Sequence, residues 1–209
     1  MTMRATKAHS KGRGTLELQG RGRFLMKCAA QIKRIEGFKL ALRLIQSCDA
    51  DYVHRLRTDP SLNTHLSEVR GSVLQQKDWI ESYKQREIAG SEYYYIIERL
   101  SDALPCGVVR LYNIKGSYFT WGSWILDQNK PQKAALESAV LIYELGFDFI
   151  GCELAVFEVR KDNIHTINFH RRFGAKEVGL DDTNVYFQYS KSSFDEFGRQ
   201  HFRNVLSVA

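Results

Sequence analysis

The sequence predicts one mixed α/β domain, α+β in arrangement, with a central, mostly antiparallel sheet flanked by helices. Three observations predict it. From residue 38 onward strand-like and helix-like periods succeed one another; three β-rich runs follow in series between residues 93 and 126; and the longest helical pattern leads directly into another strand. Runs joined only by turn residues fit an antiparallel meander, and a helix feeding a strand fits one crossover unit. With 209 residues, 44% of them hydrophobic, the chain can bury a core of that kind.

Each element has its own local reason. "FKLALRLI" (38–45) alternates as a strand, and "CDADYVHRLRTDP" (48–60) reads as a short helix begun by Asp49 or Asp51 and stopped before Pro60. "QQKDWIESYKQREIAG" (75–90) is amphipathic, with Trp79, Ile80 and Tyr83 on its inner face and Gly90 as its stop. "YYYIIER", "LPCGVVRLYNI" and "SYFTWGSWIL" form the meander, with Asn113 and Gly116 as turn residues. Trp121 and Trp124 differ by an odd number, so they should face opposite sides of the sheet. One of them could stack on a sugar or a base, against the commoner use of tryptophan in core packing. The helix 133–151 carries a polar stripe of Glu137, Glu144 and Asp148, with Leu136, Val140, Ile142 and Phe149 turned from it. "CELAVFEVR" is a strand, 161–175 a helix, "AKEVG" and "NVYFQYS" two more strands, and Ser193 to Glu196 a capping box for a terminal helix over 193–206.

The net charge of +6 is unevenly placed: residues 1–36 hold nine Lys/Arg against two acids, and the rest holds 21 against 22. The near-neutral body lacks the broad basic face of a nucleic-acid binder, and 1–36 reads as a basic, flexible leader. No run of about 18 apolar residues is present for a membrane span. Cys28, Cys48, Cys106 and Cys152 form no CxxC pair and the six histidines no HxxxH pair, so no metal is expected, and reduced thiols suit a cytoplasmic protein.

The stretch "KDNIHTINFHRRFGA" (161–175) carries the chemistry. Asn163 and His170 stand seven residues apart, two helical turns less about 20°, so both lie on one face where a single ligand could touch them. This stretch resembles the fourth conserved segment of the GCN5-related N-acetyltransferases (GNAT), with Asn163, Thr166, Phe169 and Gly174 at matching places. "WILDQNKPQKAALESAV" (124–140) is similar to that family's pyrophosphate loop and helix, with Gln128 at its first position and Glu137 at a frequent helix glutamate. The two glycine places are held by Pro131 and Lys133, and Lys130 and Lys133 would offset them with ammonium groups. The likeness covers roughly residues 38–190 and is nearest to the branch of ribosomal-protein N-terminal and amino-sugar acetyltransferases.

What the resemblance implies is an acetyltransferase domain over 37–209 with a splayed sheet, using acetyl-CoA and no metal. Trp124, Ile125, Leu126, Gln128, Lys130, Lys133, Ala134, Asn163 and Thr166 would bind the cofactor. His170 stands where relatives carry a tyrosine that protonates the departing thiolate; an imidazolium of ordinary pKa near about 6.5 would suit that role, and a packed histidine is the alternative. The base that deprotonates the acceptor amine would be Glu68, Glu98 or Glu158. The acceptor is a small-molecule amine, in the first reading a nucleotide-linked amino sugar whose phosphates Arg160, Arg171 and Arg172 would meet. A protein N-terminus and a catalytically silent acyl-CoA-binding module stand as alternatives. No nucleic acid and no membrane is expected as partner, and a homodimer is allowed.

Overall fold

The computed structural model describes residues 32–66 and 69–207. Its centre is an eight-stranded sheet. In chain order the elements are β1 (Arg34–Glu36), β2 (Leu40–Leu44), α1 (Ala50–Thr58), α2 (Pro60–Asn63), α3 (Val73–Ile88), β3 (Tyr93–Arg99), β4 (Pro105–Lys115) and β5 (Tyr118–Leu126). They continue with α4 (Ala134–Glu144), β6 (Leu154–Arg160), α5 (Ile164–Phe173), β7 (Lys176–Leu180), β8 (Asn184–Ser190), α6 (Lys191–Ser193) and α7 (Arg199–Ser207). The strands lie in the order β1-β2-β3-β4-β5-β6-β8-β7. Every neighbouring pair is antiparallel except β5 and β6, joined in parallel through α4.

The apolar run of β3 follows from burial on both sheet faces, because a strand covered twice has no solvent side to mark with polar residues. Tyr95 and Ile97 enter the larger core with Phe119, Trp121, Tyr143 and Phe187, beneath α4 and α5. Tyr94 and Ile96 enter a second core with Val53, Leu56, Ile80 and Tyr83 of α1 and α3. A fully buried Ile or Phe contributes roughly 1.5–3 kcal/mol, so neither face is decorative.

Several local expectations are corrected. Glu137 is not on a solvated stripe: it is 1% exposed. Its Oε1 accepts from the backbone N–H groups of Phe38 (2.6 Å), Lys39 (2.8 Å) and Leu40 (3.0 Å), which pins the entry of β2 to the first turn of α4. Asn113 sits inside β4 with φ 51°, at a register irregularity, and the turn itself is Gly116 (φ 58°) and Ser117. Trp79 is 37% exposed while Ile80 and Tyr83 are buried. The terminal helix begins earlier than Ser193, because the Ser190 hydroxyl caps it by accepting from the Ser193 N–H. Part of the expected leader is sheet: Arg34–Glu36 pairs with β2, and Ile35 is buried. Residues 1–31 lie outside the described residues.

Candidate active site

β5 and β6 pair only at Tyr118↔Leu154 and Phe119↔Ala155, and beyond that point they diverge. The divergence has a local cause in β5. Between Val108 and Arg110 β4 advances by two residues, while its partners on β5, Ile125 and Gly122, differ by three. The extra residue is a bulge at Ser123, held at φ 46°. It also reverses the alternation: Trp121 and Trp124 lie on the same side, ring centroids 5.4 Å apart, not on opposite sides as strict pleating requires. Trp121 is 4% exposed and packs in the core, and Trp124 donates from Nε1 to Ser138 Oγ at 3.2 Å.

The opening between the strands is a cleft of about 510 Å³. Trp121 to Trp124 form one wall and Phe157 to Arg160 the other, with Asn163, Thr166 and His170 of α5 between them. The seven-residue spacing thus brings Asn163 and His170 to one cavity. Asn163 caps α5, its Oδ1 accepting from the Thr166 N–H at 3.1 Å. Gly174 ends the helix at φ 97°, a conformation open to glycine at no steric cost.

His170 is 3% exposed. It is enclosed by the rings of Phe157 (4.4 Å), Trp121 (5.4 Å), Phe169 (5.4 Å) and Phe187 (5.7 Å), and its Nδ1 is buried without a hydrogen-bond partner among the described residues. Burial penalises the charged ring and pushes its pKa down to about 3. The imidazole in this site is neutral at neutral pH, where the sequence alone suggested an imidazolium.

Of the candidate bases, Glu158 lines the cleft. Glu98 does not: it is buried at the far end of β3, bonded to Arg34 (2.5 Å) and Arg43 (2.8 Å). Glu68 lies outside the described residues. His65, Tyr112 and Ser123 also line the cleft and were not singled out from the sequence. Only Ser123 had a visible signal, since glycine within a strand, here Gly122, marks bulges.

The loop after β5 is anchored by Asp127, 4% exposed, which accepts from the Tyr52 hydroxyl (2.9 Å) and the Asn129 N–H (2.7 Å). Gln128 lines a separate pocket of about 290 Å³ beside Arg55. Lys133 takes φ 65° at the N-cap of α4, which explains physically why a glycine suits this place. Its ammonium donates to the Val205 carbonyl of α7 at 2.6 Å, and Lys130 Nζ to the Asp127 carbonyl at 3.3 Å. Ala134 and Ile125 are buried in the two cores, and Leu126 packs against the larger one. Arg160 faces the cleft, whereas Arg171 is exposed and paired with Glu177. Among the described residues no group of three or more His, Cys, Asp or Glu is placed to hold a metal ion, and no helix is long and apolar enough to cross a membrane.

Comparison with known proteins bears on this geometry. A family model described as an acetyltransferase (GNAT) domain matches residues 39–176. No curated protein sequence matches the chain. Among solved structures, apo FdhC, described as a nucleotide-linked sugar GNAT, is 41% identical over 81% of this chain and 97% of its own, with a TM-score of 0.75. Spermidine N-acetyltransferase from Vibrio cholerae, solved with CoA and spermine, superposes with a TM-score of 0.66 at 14% identity, over 76% of this chain and 99% of that one. A proposed ribosomal-protein-serine acetyltransferase from the same organism gives 0.62 at 15%, over 75% and 97%, and both of these likenesses show the fold alone. With the family model spanning most of the chain and a splayed sheet in the matching place, this protein belongs to the GNAT acetyltransferases.

Proposed function

We propose that the chain transfers the acetyl group of acetyl-CoA to the amine of a nucleotide-linked amino sugar. The likeness at 41% identity to a nucleotide-linked sugar GNAT carries this reading. The cleft supports it: about 510 Å³ between diverging strands accommodates a thioester arm meeting an amine, with Trp121, Trp124 and Phe157 as its apolar part and Glu158, Arg160, Asn163 and Asn184 among many polar groups that a polar acceptor can meet.

Bound acetyl-CoA supplies an activated acyl carbon. The chain's own groups do the rest. Asn163 and Thr166 line the path of the pantetheine arm, and the backbone of Trp124 to Leu126 past the bulge offers N–H groups to align it and polarise the carbonyl. The first turn of α4 leaves backbone N–H groups without intrahelical acceptors, which with Gln128, Lys130 and Ala134 suits a pyrophosphate. Lys133 contributes by fixing this turn to α7. Glu158 takes one proton of the acceptor ammonium, directly or through water; the freed amine nitrogen would bond to the acyl carbon as the C–S bond breaks, and the second nitrogen proton would pass to the departing thiolate, leaving the amide and the thiol of coenzyme A. The thiolate of coenzyme A is a tolerable leaving group, and neutral His170 positions it by hydrogen bonding from the buried side of the cleft.

The test is release of free thiol with acetyl-CoA and a panel of nucleotide-linked amino sugars, peptides with free N-termini and spermidine. Turnover of a nucleotide-linked amino sugar well above the same sugar without its nucleotide is expected. Turnover of peptides or spermidine alone would discard the acceptor while leaving the acetyltransferase.

A further inference from the structure

The terminal helix α7 lies beyond the segment that the family model matches, yet it is fastened to both ends of α4. At the far end Arg199 forks onto Asp148, in the turn after α4, at 2.6 and 3.0 Å, and Arg203 meets Glu144 at 2.9 Å. At the near end the Lys133 ammonium reaches the Val205 carbonyl at 2.6 Å. Rising residue numbers on α7 meet falling numbers on α4, so the two helices run antiparallel. The apolar side of α7 holds this register: Phe202 stacks on Phe173 of α5 at 4.1 Å, and Leu206 is 5% exposed. α7 thereby touches both helices of the cofactor site, α4 with its first turn and α5 with Asn163 and His170.

The near tether has a physical reason on each side. The last four carbonyls of a helix have no intrahelical donor, and the negative end of the helix dipole favours a cation there. Val205 is among those four in α7, which ends at Ser207. Lys133 has a need of its own. Its backbone is left-handed (φ 65°, ψ 12°), a conformation that is costly for any residue with a Cβ and that persists only where its surroundings fix it. No side chain caps α4 at this place, and the bond from the ammonium to α7 is what holds the residue in the turn.

We propose that α7 sets the affinity for coenzyme A, with Lys133 as the positioning residue: its bond to the Val205 carbonyl keeps the turn before α4 in the shape that presents backbone N–H groups to the pyrophosphate. The ammonium acts through the backbone and not as a phosphate ligand. The inference rests on the acetyl-CoA reading above and deepens it. Coupling between two sites is reciprocal, so a cofactor that needs this turn also steadies α7.

The experiment is calorimetric titration of the full chain with coenzyme A, beside Lys133→Met and Lys133→Gly, together with amide hydrogen exchange of residues 199–207 with and without coenzyme A. Both variants lose the ammonium, but glycine takes the left-handed turn at no steric cost and methionine does not. Lys133→Met should bind coenzyme A about fivefold more weakly than the native chain, and Lys133→Gly should recover most of that loss. Exchange in α7 should slow on binding in the native chain and keep its rate in Lys133→Met. A phosphate-binding ammonium would weaken the two variants equally, and an idle surface contact would leave all three chains alike. Either result, or native α7 exchange indifferent to bound coenzyme A, overturns the proposal while the cofactor reading stands. No binding of coenzyme A by the native chain would remove that reading and this proposal together.

Discussion

His170 shows what a sequence can and cannot say about one side chain. Its place on the same helical face as Asn163 follows from periodicity, but its charge state depends on four aromatic rings contributed by β5, β6, β8 and α5, which no local spacing reveals. A proton-binding consequence follows. The folded ring has its pKa depressed to about 3, below the ordinary histidine value near 6.5 that the unfolded chain regains. Between these values the unfolded state binds a proton that the folded state does not, so stability falls as pH is lowered from about 6.5 towards 3 and is complete above that window. The shift corresponds to roughly 5 kcal/mol at its full extent. Urea denaturation at pH 7.5 and at pH 5 should therefore show a loss in the native chain that is smaller in His170→Phe, which has no ring to protonate. Equal losses in the two would mean that the ring is not held neutral.

At the scale of elements, the same contrast recurs between Glu137 and the β5 bulge. Periodicity drew Glu137 onto a polar stripe because an acid on a helix is ordinarily solvated, and only the tertiary fold shows three backbone N–H donors waiting for it, two in the β1–β2 connection and one at the first residue of β2. Gly37 in that connection has no room for a side chain, since a Cβ there would lie 2.4 Å from Glu137 Oε1. Glu137→Ala strands those donors in a buried place and should cost on the order of 3 kcal/mol. Glu137→Gln keeps an acceptor oxygen and should cost about half as much. Chemical denaturation of the two variants checks the order, and equal, small losses would show that the carboxylate is not what fastens β2. The bulge defeated the alternation of the two tryptophans in the same way: period-two reasoning is sound along a strand until one residue is added, and the added residue here is what opens the cleft.

At the scale of the molecule, the order of elements was legible because each long run repeats its own period several times, and the two-sided burial of β3 appears in its unbroken apolar run. The start of the domain was not. β1 is three residues long, too short for a period, and its basic neighbours place it compositionally with the segment before it. In the fold it is held from three sides. Ile35 is 4% exposed in the larger core, Arg34 bonds Glu98 at 2.5 Å, and the Tyr95 hydroxyl donates to the Ile32 carbonyl at 2.9 Å. Removing the strand therefore exposes the outer edge of β2 and leaves buried Glu98 with Arg43 as its remaining partner among these ion pairs. A chain beginning after Glu36 should be less stable than one beginning at Ile32 by about 3 kcal/mol, the sum of one buried isoleucine and one partly buried ion pair. For a domain of this size that is a difference of roughly 6–12 °C in the midpoint of thermal unfolding. Coincident midpoints would mean that β1 contributes nothing and that the domain begins at β2, as composition suggests. A separation of the expected size would place the boundary at the sheet edge, within the segment that charge alone assigns to the leader.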